Sequence, residues 1–132
     1  MLKEMNFKKV YMITGYIDLR KGIDGLSTLV RLKYGLDTLE NGTLFLFCGR
    51  SCKRIKGLFW DDNGYCMLSK VLSRGAFQWP RNAEEAQMLT RQEYLMLMSG
   101  FSIESRIPGT TIRLFQRLNS TNSAVLFLSI TK

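Results

Sequence analysis

The chain reads as an α+β domain: a small, mostly antiparallel sheet of three to five strands with a central hairpin, packed against two helices. Three observations predict it. Short runs rich in apolar, β-branched and aromatic residues recur along the first half of the chain. Two of them are joined by the turn Asp61-Asp62-Asn63-Gly64. Segments with apolar residues at helical spacing flank the group on both sides.

Lys9–Thr14 (KVYMIT) has the composition of a first strand. Gly15-Tyr16-Ile17-Asp18 reads as a loop. From Ile23 onward Leu26, Leu29, Val30 and Tyr34 repeat at helical spacing, and Gly35 stands where a helix stops on a left-handed residue. After a polar connector, Thr43–Cys48 is an apolar run too dense for an exposed edge. Ile55–Trp60 and Tyr65–Val71 form the hairpin, because Asn63 and Gly64 tolerate positive φ. Ala76–Trp79 suggests a further short strand closed by Pro80. Arg81–Ser99 has helical character, with Thr90 and Glu93 in capping-box spacing and Gly100 ending it. Residues 1–104 thus form one domain, and 105–132 a tail of uncertain order that turns polar before the apolar stretch Ala124–Ile130.

A length of 132 residues supports one core and is short for two. The composition, 45% hydrophobic and 23% charged, is that of a globular protein. Nineteen Lys and Arg against eleven Asp and Glu leave a net charge of +8, which favours a polyanionic partner. Histidine is absent, and this removes His-based catalytic pairs, His general bases and His metal sites. Cys48, Cys52 and Cys66 fall short of the four thiolates of a structural zinc site and read as small buried hydrophobes in a reducing compartment. No metal or other cofactor is expected. The first twenty residues carry six charges and the apolar tail is too short to cross a bilayer, so the expected location is cytoplasmic, with no membrane partner.

Three constellations carry candidate chemistry. Asp18-Leu19-Arg20-Lys21-Gly22-Ile23-Asp24-Gly25 puts two cations at a helix start, where backbone N–H groups and the helix dipole favour phosphate. Its glycine pattern matches neither a P-loop nor a dinucleotide fingerprint, and the plainer reading is a helix start with Asp18 or Gly22 near the cap and surface cations around it. Arg50, Lys53, Arg54 and Lys56, with Lys70 and Arg74 on the return path, form a basic stripe suited to a phosphate backbone. Arg54 and Lys56 point to one face of an extended chain and Ile55 to the other. Phe59, Trp60, Tyr65, Phe77 and Trp79 offer stacking faces for bases, or fill the core against the helices. Asp18, Asp24, Asp61 and Asp62 would have to converge to hold Mg²⁺ for phosphodiester cleavage, and their spacing gives no sign of it.

Four strings taken together resemble one family. Tyr16-Ile17-Asp18-Leu19-Arg20-Lys21-Gly22-Ile23-Asp24-Gly25-Leu26, Leu46-Phe47-Cys48-Gly49-Arg50, Ile55-Lys56-Gly57-Leu58-Phe59-Trp60 and Phe77-Gln78-Trp79-Pro80 are similar, in order, to the second-open-reading-frame accessory protein of insertion-sequence-66-type transposons. The resemblance spans roughly residues 5–104. Two departures stand out: Ser51-Cys52-Lys53 is poorer in arginine than the family's usual segment, and the chain continues past Glu104 with an unfamiliar ending. The resemblance implies a prokaryotic mobile-element protein that assists a separately encoded transposase, with no catalytic activity of its own and no established active-site residues.

The reading is therefore a non-enzymatic transposition factor that binds DNA and works with the transposase and other proteins of the same element. Arg20, Lys21, Arg50, Lys53, Arg54, Lys56, Lys70 and Arg74 are the candidate phosphate contacts. The alternatives are a module that docks on the transposase without touching DNA, and a metal-dependent nuclease.

Overall fold

The computed structural model describes residues 6–80, 84–99 and 124–131, the last segment by its backbone path. The fold is α+β, as the sequence predicts, built on one six-stranded sheet with two helices. The strands are β1 (Lys9–Ile13), β2 (Thr43–Cys48), β3 (Arg54–Asp61), β4 (Gly64–Leu72), β5 (Ala86–Leu89) and β6 (Ala124–Thr131), in the spatial order β5-β1-β2-β3-β4-β6. All neighbouring pairs are antiparallel except β1 and β2, which run parallel with Lys9 opposite Thr43. A parallel pair needs a crossover, and α1 (Gly22–Tyr34) supplies it.

Both faces of the sheet are buried. Ile13, Phe45, Phe47, Leu58 and Met67 pack with Leu26 and Val30 of α1. On the other face, Met12, Leu44, Leu46, Ile55, Phe59 and Leu68 pack with Phe77, Trp79 and with Tyr94, Leu97 and Met98 of α2 (Arg91–Met98). Every residue of β2 is buried, which is why its sequence is an unbroken apolar run rather than an alternating one.

Local signals set the boundaries. Gly35 takes φ 64° and donates its N–H to Arg31 O while Leu36 N–H donates to Val30 O, closing α1 in the left-handed conformation that glycine adopts without a Cβ clash. Thr90 and Glu93 make the reciprocal hydrogen bonds of a capping box at the start of α2. The hairpin is where the sequence puts it, but Asp62 takes the positive φ, at 53°, rather than Asn63 or Gly64. Asp62 is held there by Asn41, whose side chain accepts from Asp62 N–H and donates to its carboxylate.

Two expectations are corrected. Ala76–Pro80 is irregular rather than a strand: Phe77 N–H donates to Cys52 O and Trp79 Nε1 to Ile13 O at 3.0 Å, which lays the segment across the sheet face. The helix expected over 81–99 spans only Arg91–Met98, and Ala86–Leu89 is instead the strand β5 on the free edge of β1; residues 81–83 lie outside the described residues. Alanine, glutamine, methionine and leucine all suit a helix, so pairing with β1 overrides local preference there.

The buried Trp79 indole makes the irregular segment structural. Trp79→Phe keeps the ring packing but loses the bond to Ile13 O, and is expected to cost about 0.5–1.5 kcal/mol in urea unfolding followed by circular dichroism. An unchanged midpoint would show that the segment does not anchor the fold.

Candidate nucleic-acid interface

The topology collects one set of loops at one end of the sheet. Parallel β1 and β2 both finish there, β3 begins there, and β4 finishes there. The chain leaving β1 therefore meets the loop between β2 and β3. Ile17 N–H donates to Cys48 O at 3.0 Å, docking the first segment on the last residue of β2. A Cβ at Gly49 would lie 3.2 Å from Leu19 Cδ1, so the glycine lets the two loops approach closely. The Lys56 ammonium reaches from β3 to donate to Leu19 O at 2.6 Å.

Between these loops lies an open cleft of about 440 Å³ lined by Tyr16, Ile17, Asp18, Leu19, Arg20, Gly49, Arg50, Ser51 and Arg54. Three arginines from separate parts of the chain share it, with Asp18 as its one carboxylate. Leu19–Lys21 forms a 3-10 turn capped by Asp18, which accepts from Arg20 N–H at 3.0 Å. The same carboxylate takes the Arg20 guanidinium in a two-pronged bond, Nε to Oδ1 at 3.0 Å and Nη2 to Oδ2 at 2.9 Å. These bonds favour the ionised carboxylate and hold its pKa at about 2. The Arg20 side chain is nonetheless 91% exposed, so its remaining N–H groups face solvent.

The loop over the cleft is held by backbone bonds. Cys52 N–H donates to Gly49 O, Gly49 N–H to Arg54 O, and Leu72 N–H to Lys53 O. Cys52 sits at φ 58°, uncommon for a residue with a side chain, and is buried in the core beneath the exposed Arg50 and Lys53. Cys48 and Cys66 are buried as well, and all three cysteines are free thiols.

The eight candidate cations divide by position. Arg20, Arg50 and Arg54 line the cleft. Lys21, at the end of the 3-10 turn, and Lys53 and Arg74 on loops are exposed at the same end of the sheet. Lys56 is half-buried and tied to Leu19 O; burial and then the neighbouring Arg54 charge push its pKa down. Lys70 lies away from this group, donating to Met98 O at 2.7 Å at the end of α2. Arg54 and Lys56 do share a sheet face, with Ile55 buried on the other, as the strand period requires.

The rings are mostly core. Phe59, Phe77 and Trp79 are buried; Trp60 and Tyr65 are half-buried and meet edge-to-face at 5.1 Å, at the far end of the hairpin. Tyr16 is the ring that lines the cleft, and sequence reasoning does not single it out as a site residue although it opens the first family-like string. Asp61 and Asp62 are about 23 Å from the cleft along β3, by the usual rise per strand residue. Among the described residues no group of three or more His, Cys, Asp or Glu side chains is placed to hold a metal ion. Among the described residues no helix is long and apolar enough to cross a membrane.

The family model for IS66 Orf2-like proteins matches residues 8–107. The chain belongs to that family. It is 35% identical over 105 residues to the uncharacterized protein y4hO of Sinorhizobium fredii, covering 80% of this chain and 89% of the relative. It is 28% identical over 92 residues to the uncharacterized protein y4jC of the same organism, covering 70% of this chain and 78% of the relative. No solved structure matches it. Of the family-like strings, 16–26 and 46–50 both reach the cleft of this IS66 Orf2-like chain.

Two measurements check the geometry. Because the folded pKa of Asp18 lies below the ordinary 3.8, its contribution to the turn is complete above about pH 4 and is lost as pH falls through about 2. Carboxyl NMR should give a midpoint near 2 that returns toward 3.8 in Arg20→Ala; a midpoint near 3.8 in the unaltered chain would contradict the pairing. Lys56→Met keeps an apolar stem but loses the bond to Leu19 O, and should raise amide exchange at Ile17 and in the 19–21 turn while leaving the β3–β4 hairpin unchanged.

Proposed function

We propose that this transposon accessory-family protein assists a separately encoded transposase by holding DNA, and that it does so without catalysing a reaction itself. The observation that carries this reading is the meeting of Arg20, Arg50 and Arg54 in one cleft. Arginine forks are suited to phosphate oxygens, and exposed Lys21, Lys53 and Arg74 extend the same positive end. Asp18 orients Arg20 and lowers the net charge of the cleft without closing it.

In this reading the contacts are to the backbone, and they position rather than read sequence. The core rings are unavailable for stacking, which leaves Tyr16 as the aromatic wall at the phosphates. Lys56 acts on the site indirectly, by fixing Leu19, whereas Lys70 is engaged at the end of α2 instead.

Fluorescence anisotropy with a labelled duplex, measured across a salt series, tests this. Changing Arg20, Arg50 and Arg54 together to Ala should weaken binding at least tenfold and reduce the slope of log affinity against log salt by about 2–3, near 0.9 for each phosphate no longer neutralised. Equal binding and slope in the triple variant would overturn the proposal. Capture of the transposase from nuclease-treated extract, insensitive to salt and to the same three changes, would favour the reading in which the protein docks on its partner without DNA.

A further inference from the structure

We infer that the outer edge of β4 is a strand-addition site for an extended, uncharged apolar segment, and that residues 124–131 are its occupant in cis. The family model matches residues 8–107, so β6 lies wholly outside the matched span. Within that span β4 pairs with β3 on one side and with no other strand among the described residues. β4 is nine residues long, the longest strand of the sheet. An edge of that length presents a row of backbone donors and acceptors ready to pair with another chain.

The usual protections of an edge are absent from it. β4 has the sequence GYCMLSKVL, with no proline and one charge. That charge, Lys70, is engaged at Met98 O under α2. β6 is the matching piece: AVLFLSIT has no charge and no proline, and pairs antiparallel from Tyr65 opposite Thr131 to Leu72 opposite Ala124. Ser99, the last described residue after α2, is separated from Ala124 by 24 residues of sequence, 100–123. A strand on so long a connection behaves as a tethered ligand, with an effective concentration on the order of millimolar. Backbone pairing supplies the affinity, as in other strand additions.

The site can be tested in the full-length chain by disabling its own strand and offering the strand back. Phe127→Pro/Leu128→Pro places a proline at both parities of β6, so one of them removes a ladder donor. A labelled peptide of residues 124–132 is then titrated against the variant and the unaltered chain. The peptide should bind the variant at least about tenfold more tightly, because the unaltered chain competes with its own tether. The same peptide carrying the two prolines should bind neither. Equal binding to both chains, or equal binding of the proline peptide, would overturn the inference. If the double-proline chain does not fold alone, recovery of buried Trp79 emission on adding the peptide supports the site, and failure to recover it overturns it.

Discussion

The parallel pairing of β1 with β2 is the constraint on which the rest of the molecule depends. Parallel strands cannot be joined by a tight turn, so the chain has to cross over through α1 before β2 begins. That crossover starts at the same end of the sheet where β2 finishes, and the 16–21 segment comes to rest beside the 49–54 loop. Ligand sites often form in the crevice beyond the carboxyl ends of parallel strands for this reason. The Ile17–Cys48 backbone bond and the Lys56–Leu19 bond then fix the two loops to each other.

Charge placement follows from the same topology. Arg20 comes from the crossover, Arg50 from the loop after β2 and Arg54 from the first residue of β3, positions 34 residues apart in sequence at the extremes. None makes a basic site alone. Asp18 shows how one carboxylate serves a positive cleft: it caps the turn and holds the Arg20 fork, while most of the guanidinium stays in water. The hairpin carboxylates Asp61 and Asp62 sit at the opposite end of β3, so they do not neutralise the arginines.

Where local chemistry decides, the sequence was legible. Gly35, the Thr90–Glu93 box, the buried run of β2 and the two-residue hairpin loop each state a conformation within a few residues. The pairing of the 16–26 and 46–50 strings as one basic neighbourhood was also readable as two clusters, though only the fold shows that they share a cleft. The features that local reading misses depend on distant partners. β5 is a strand because β1 has a free edge, and Phe77–Pro80 is irregular because Trp79 donates to Ile13 O instead of joining a ladder. Lys56 and Lys70 look like surface cations in sequence, yet carbonyls 37 and 28 residues away take their ammonium groups. β6 joins the sheet through β4, which no short-range signal in the polar stretch before it announces.

Amide hydrogen exchange with and without duplex DNA tests most directly whether the cleft is the binding surface. Backbone contact across it predicts that DNA slows exchange together in Ile17–Lys21 and in Gly49–Lys53, with no change in the Asp61–Asn63 turn at the other end of β3. Protection confined to the hairpin end, or none in either cleft segment at a DNA concentration that saturates binding, would contradict it.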